Sequence, residues 1–253
     1  MNPISRSQLL LLASSAALSA GTPTETAITT KPSDDDGWTF RSALYGWGQA
    51  FDGEVGIRGL EADVNIDFKD ILDDLNFAAM GVFEIGKGRW SLLADLNYAE
   101  VGDSVSPLPT VPNLIVDYEQ KQFLGNFLAI YQVIGGPEMK LDVYGGARVN
   151  WIDFELSAGP GITKDETWVD PVIGARFEAP LTNDFFFRAL GDIGGFGVSS
   201  HFTWQALAGF GWRFSESGAL LLGYRALGTD YQDGDFSYDM TAHGPVLGAE
   251  FRF

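Results

Sequence analysis

The chain has 253 residues, a formal charge of −18 and no cysteine. That charge excludes a nucleic-acid partner, which wants a basic surface, and without cysteine there is neither a disulfide frame nor a thiolate metal site. Hydrophobic residues make up 45% of the chain, yet no apolar run reaches the length a membrane-spanning helix needs. The length suits one β-domain of roughly 200–250 residues.

Met1–Gln8 carries a single cation, Arg6, and Leu9–Ala20 is an unbroken run of apolar and small residues. The pattern predicts an export signal over 1–20, with Ala17, Ser19, Ala20 and Gly21 supplying small residues at the cut. Residues 21–37 are Thr-rich and acidic, and read as a flexible lead-in.

Strand-like alternation begins at Trp38. It predicts strands over 38–50, 77–86, 90–101, 114–133, 138–156, 167–179, 185–198, 202–214, 219–229 and 236–253. Short turns rich in Gly, Pro, Asn and Ser (86–89, 134–138, 180–184, 215–218) exchange with mostly longer, more acidic connections. That asymmetry belongs to a transmembrane barrel. The expected fold is therefore all-β: a closed antiparallel transmembrane β-barrel over 38–253, of ten strands, with eight and twelve as the alternative even counts. Residues 51–76 are expected to form a structured extracellular excursion. Within it Leu60–Phe68 alternates cleanly enough to supply a further strand pair, and Lys69–Leu75 resembles one or two helical turns.

Period-two parity then separates two faces. One carries Trp90, Leu92, Val143, Val169, Ile173, Phe185, Phe210, Trp212, Leu222 and Leu247, with aromatics toward the strand ends, as a lipid belt with girdles requires. The other carries Arg41, Glu84, Asp95, Asp142, Arg148, Asp170, Arg176, Glu178, Arg188, Asp192, Arg213, Arg225, Glu250 and Arg252. Its basic members are all arginine, which suits bidentate pairing in a confined space. A lumenal charge network is expected, either filling the interior or forming a constriction for a small solute. Ten strands enclose little more than side chains can fill, so an open channel is not expected.

Chemistry beyond this is sparse. His201 and His243 are the two histidines, and neither adjacency (Ser200–His201) nor spacing makes a catalytic pair. Asp239 and His243 share a strand face but stand about 13 Å apart along it. No catalytic residue is assigned. Asp230–Asp235 has oxygen ligands around a glycine but lacks the spacing and closing Glu of an EF-hand. No metal site or cofactor is assigned.

The final strand, Gly244–Phe253, alternates up to a terminal aromatic and resembles the closing strand of bacterial outer-membrane β-barrels. The resemblance implies that Phe251 and Phe253 serve as the assembly signal read by the barrel-assembly machinery. Further residues carry it: Trp168–Arg176, Gly191–Gly197, Trp204-Gln205, Gly209–Phe214 and Gly223–Arg225. Together they resemble a group of small, porin-like outer-membrane barrel proteins. That likeness implies a place in the outer membrane of a Gram-negative cell, with membrane lipid and lipopolysaccharide as neighbours. It brings no catalytic residues. The expected role is structural, or a narrow small-solute passage; the alternative is a hydrolase or adhesin working through the extracellular loops.

Overall fold

A computed structural model describes residues 37–57, 60–105, 116–157 and 162–253. The export signal and most of the lead-in lie outside them. In chain order the elements are β1 (Trp38–Trp47), β2 (Ala50–Ile57), β3 (Leu60–Ile66), α1 (Phe68–Asp73), β4 (Leu75–Lys87), β5 (Trp90–Val105), β6 (Val116–Gly135), β7 (Lys140–Ser157), β8 (Ile162–Pro180), β9 (Phe185–Gly194), β10 (Ser200–Arg213), β11 (Gly218–Asp233) and β12 (Phe236–Arg252).

Neighbouring strands pair antiparallel in the order β1-β4-β5-β6-β7-β8-β9-β10-β11-β12, and β1 pairs with β12 to close the ring. This is the ten-stranded barrel that the alternation predicted. Tight turns need glycine where φ is positive. Gly88 (φ 61°) and Gly234 (φ 58°) provide that at the β4–β5 and β11–β12 hairpins.

The excursion at 51–76 differs from a separate loop structure. β2 continues the line of β1, because β12 pairs with β1 through Val246–Arg252 and with β2 through Phe236–His243. The join falls at Gly48, whose amide donates to the Pro245 carbonyl at 2.9 Å. The backbones there are so close that a Cβ on Gly244 would lie 1.8 Å from the Gly48 oxygen. β3 pairs back onto β2, and α1 then interrupts the descent before β4 resumes it. The hairpin thus raises the wall, and the helical turns expected near residue 70 are present. Several other strands also run further outward than predicted, β11 to Asp233 and β5 to Val105, at the expense of the loops.

The apolar face points outward, as parity requires. Trp90, Leu92, Phe210, Leu222 and Leu247 are all exposed, forming a wall that water would not solvate and lipid would.

Candidate functional site

The interior is layered along the barrel axis. At the periplasmic end Glu84 on β4 accepts hydrogen bonds from Arg41 Nε at 2.9 Å and from Arg176 Nη1, on β8 across the lumen, also at 2.9 Å. Ser91 donates to the same carboxylate at 2.7 Å. Arg176 also holds Asp142 at 2.9 Å. Arg188 on β9 joins Glu178, at 2.6 Å, to Glu250 on β12, at 2.7 Å, and Glu250 returns to Arg41 at 2.8 Å. Arg252 and Arg213 complete this floor on Glu250 and Glu178. The Phe186 ring beneath is fully buried, with the Arg213 guanidinium 4.3 Å from its centre.

A second polar layer crosses the middle. Arg225 on β11 reaches Asp95 on β5 at 3.0 Å and the Tyr45 hydroxyl at 3.0 Å. Tyr45 itself donates to Asp95 at 2.5 Å. Arg148 is completely buried and donates to Asn126, Thr203 and Asp192 at 2.9, 2.9 and 2.7 Å. Gln205 joins the two halves, donating to Asp192 and accepting from Arg225. Between the layers lies a space of about 140 Å³, lined largely by aliphatic side chains such as Leu93, Leu128 and Leu207. Gly209, Gly223 and Gly248 put no side chain into it.

All fourteen residues assigned to the lumenal charge network face inward, but they do not form one ladder. Thirteen divide between the two layers. Asp170 belongs to neither: although it lies opposite Arg148 in the β7–β8 register, it accepts from the Ser200 amide and hydroxyl, both at 2.7 Å. That contact ties β8 to the start of β10 above the short strand β9, which gives it a local structural task.

The extracellular half of the lumen is the feature that sequence reasoning missed. There apolar side chains predominate at the inward positions, with Asn150 and Thr229 buried among them: Trp47, Phe51, Leu124, Leu227, Met240, Ala242 and Val246 form one buried cluster. Ile152, Trp168, Tyr231 and Phe236 form a second. Trp168 stacks on Tyr231 at 4.3 Å and 9°, bridging β8 to β11. The Arg225 guanidinium lies 4.6 Å from the Trp47 ring and joins the central network to this plug. The signal was available. Phe236, Tyr238, Met240 and Ala242 share the parity of Glu250, so the last strand placed them inside.

His243 points outward. Tyr224 Oη lies 2.6 Å from its Nδ1 and Asp52 Oδ2 2.7 Å from its Nε2, so the imidazole pins the β2–β3 hairpin to β11. Asp239 is not its partner; it lies opposite Glu54 and Asp230 in the register. His201 stands 3.4 Å from Asp230. Glu54 is exposed, and its carboxyl is raised above the ordinary value by Glu61 first, with Asp63 and Asp239 adding to the repulsion. No cluster of three or more His, Cys, Asp or Glu that could hold a metal occurs among the described residues. Phe253 sits at the rim, exchanging backbone hydrogen bonds with Phe40 at 2.9 and 3.1 Å, and Phe251 meets Phe214 edge-on at 6.3 Å.

No protein-family model matches the chain, and no curated protein matches it in sequence. Solved structures do match in shape. The outer-membrane protease OmpT from Escherichia coli superposes with a TM-score of 0.58 at 9% identity, over 89% of this chain and 100% of that one. The fold is the outer-membrane β-barrel. The translocator domain of the autotransporter NalP from Neisseria meningitidis (TM-score 0.44, 14% identity, 87% and 90% covered) is also similar. So is Ail of Yersinia pestis (TM-score 0.37, 13% identity, 86% and 99% covered). At these identities the outer-membrane barrel likeness is one of fold, and the residues inside the barrel have to speak for themselves.

Proposed function

We propose that this outer-membrane barrel is closed to solutes along its axis. Its role is structural: it carries the acidic β2–β3 hairpin above the membrane. The observation that supports this is the pair of hydrogen-bonded layers anchored on opposite walls. Arg176 to Glu84 and Arg225 to Asp95 each span the lumen, and the aromatic plug lies above both. Every arginine in the two layers has a carboxylate or amide partner, so none is left to draw an anion through.

On this reading the surrounding lipid and lipopolysaccharide solvate the outward face, and Phe251 and Phe253 present the final strand to the assembly machinery. A hydrolase of the protease kind would need a base aimed at substrate. Both nitrogens of His243 are already engaged, with Tyr224 and Asp52, so its work is to hold the hairpin. Liposome swelling tests the proposal. Vesicles carrying the protein should shrink in small sugars and amino acids and stay shrunken, as protein-free vesicles do. Rapid re-swelling would reject the closed reading.

A further inference from the structure

The barrel wall has one place where the strand ladder stops and begins again. β1 and β4 pair as far as Leu44 and Gly81, and β2 and β3 pair from Phe51 and Ile66 upward. Between these, residues 45–50 face 75–80 without strand pairing among the described residues, and the Trp47 amide meets the Met80 sulfur at 3.3 Å. α1 lies across this slot. Its Phe68 ring rests on Gly48 so closely that a Cβ there would come within 2.9 Å of it, and Ile71 packs against the apolar plug. Outside, Phe68, Leu72 and Phe77 are exposed and make the rim apolar.

Behind the slot is an unsatisfied site. Trp47 Nε1, Trp168 Nε1 and Asn150 Nδ2 are buried and have no hydrogen-bond partner. All three residues are more than nine-tenths buried, and all three line one cavity of about 10 Å³. Buried donors without acceptors are uncommon and costly, and here the residues that carry three of them line the same small space.

We propose that slot and cavity together bind a small, largely apolar molecule bearing a carbonyl-type acceptor, of the aryl ketone or quinone class, which enters sideways from the membrane beneath α1. The acceptor oxygen takes the cavity among the three N–H groups. The carbon body lies along the slot, where Ile71 and Met80 now pack. A charged solute would find no counter-charge in a lining that mixes Gln49, Gln122 and Thr229 with Leu124, Leu227 and Met240, and a plain hydrocarbon would leave the three donors unpaired. The inference builds on the closed-lumen reading, since the central network below means that the molecule is held and not passed on. Conductance tests that reading separately.

Binding of 1,4-naphthoquinone and of naphthalene to the full chain in detergent, measured by equilibrium dialysis against protein-free micelles, tests the site. The expected result is at least a tenfold preference for the quinone, abolished in Trp47→Phe/Trp168→Phe, which keeps both rings and loses both N–H groups. Equal binding of the two probes, no binding of either, or a preference that survives in the double variant would overturn the site. The route is tested with Gly48→Cys/Phe68→Cys, whose thiols are the only ones in an otherwise cysteine-free chain. Bridging them with a reducible bifunctional thiol reagent should slow quinone uptake at least tenfold, and reduction should restore it. Uptake unchanged by the bridge would overturn lateral entry.

Discussion

The two halves of the lumen solve one problem in opposite ways. The periplasmic half fills its space with arginines and carboxylates that reach across to partners on the far wall; the extracellular half fills it with aromatic and aliphatic side chains. Directional filling is specific: each guanidinium has a fixed set of acceptors, and removing one leaves a buried charge behind. Apolar filling is forgiving, because volume matters more than orientation. The polar half should therefore be the rigid one and the apolar half the one that can rearrange. The break in the ladder and α1 both lie against the apolar half.

The largest expected effect comes from breaking the polar half. Arg188→Ala removes the guanidinium that Glu178 and Glu250 share, leaving Glu250 to Arg41 and Arg252 and Glu178 to Arg213, and should cost about 3 kcal/mol in urea unfolding of the folded barrel. Arg188→Lys should recover little of this, since an ammonium cannot reproduce the fork between two carboxylates. In the apolar half, Leu227→Ala should cost about 2–5 kcal/mol, whereas Leu227→Met should cost less than about 1.5 kcal/mol. The comparison fails if the conservative exchange is tolerated equally in both halves.

A smaller effect concerns pH. Because the folded pKa of Glu54 is raised, folding binds its proton more tightly than the unfolded chain does. The repulsion from Glu61 and Asp63 is present at neutral pH and fades as pH falls through the raised value. Protection factors of the β2 and β3 amides, corrected for the intrinsic pH dependence of exchange, should rise on acidification over that range, and Glu61→Gln should weaken the rise. Protection factors that fall on mild acidification would contradict the sign. Smallest of all, Lys69→Ala removes the exposed pair with Asp73 on α1 and should leave the urea midpoint of unfolding unchanged, because solvent screens such a pair.

Much of this was legible in the sequence because a strand has only two faces. Glu250 and Arg252 placed one face of the last strand inside, and counting by two placed the rest of the charge network. What parity does not give is height along the axis, or which strand lies opposite. Met240 and Phe236 carry the same parity as Glu250, but their meaning as a plug depends on Trp168 and Trp47 arriving from other strands. Arg148 likewise lies opposite Asp170 in the register and bonds to Asp192 two strands away, because Asp170 is taken by Ser200. The join of β1 to β2 was hidden for a different reason. Gly48 and Gly244 look like turn residues locally, and only the long-range approach of their backbones shows that the strand continues.

The measurement that bears most directly on the closed lumen is single-channel recording in a planar bilayer. The native protein should give no conductance steps, and Glu250→Ala with Arg188→Ala, which thins the floor but leaves the central layer and the plug in place, should give none either. Regular steps from the native protein would contradict the account.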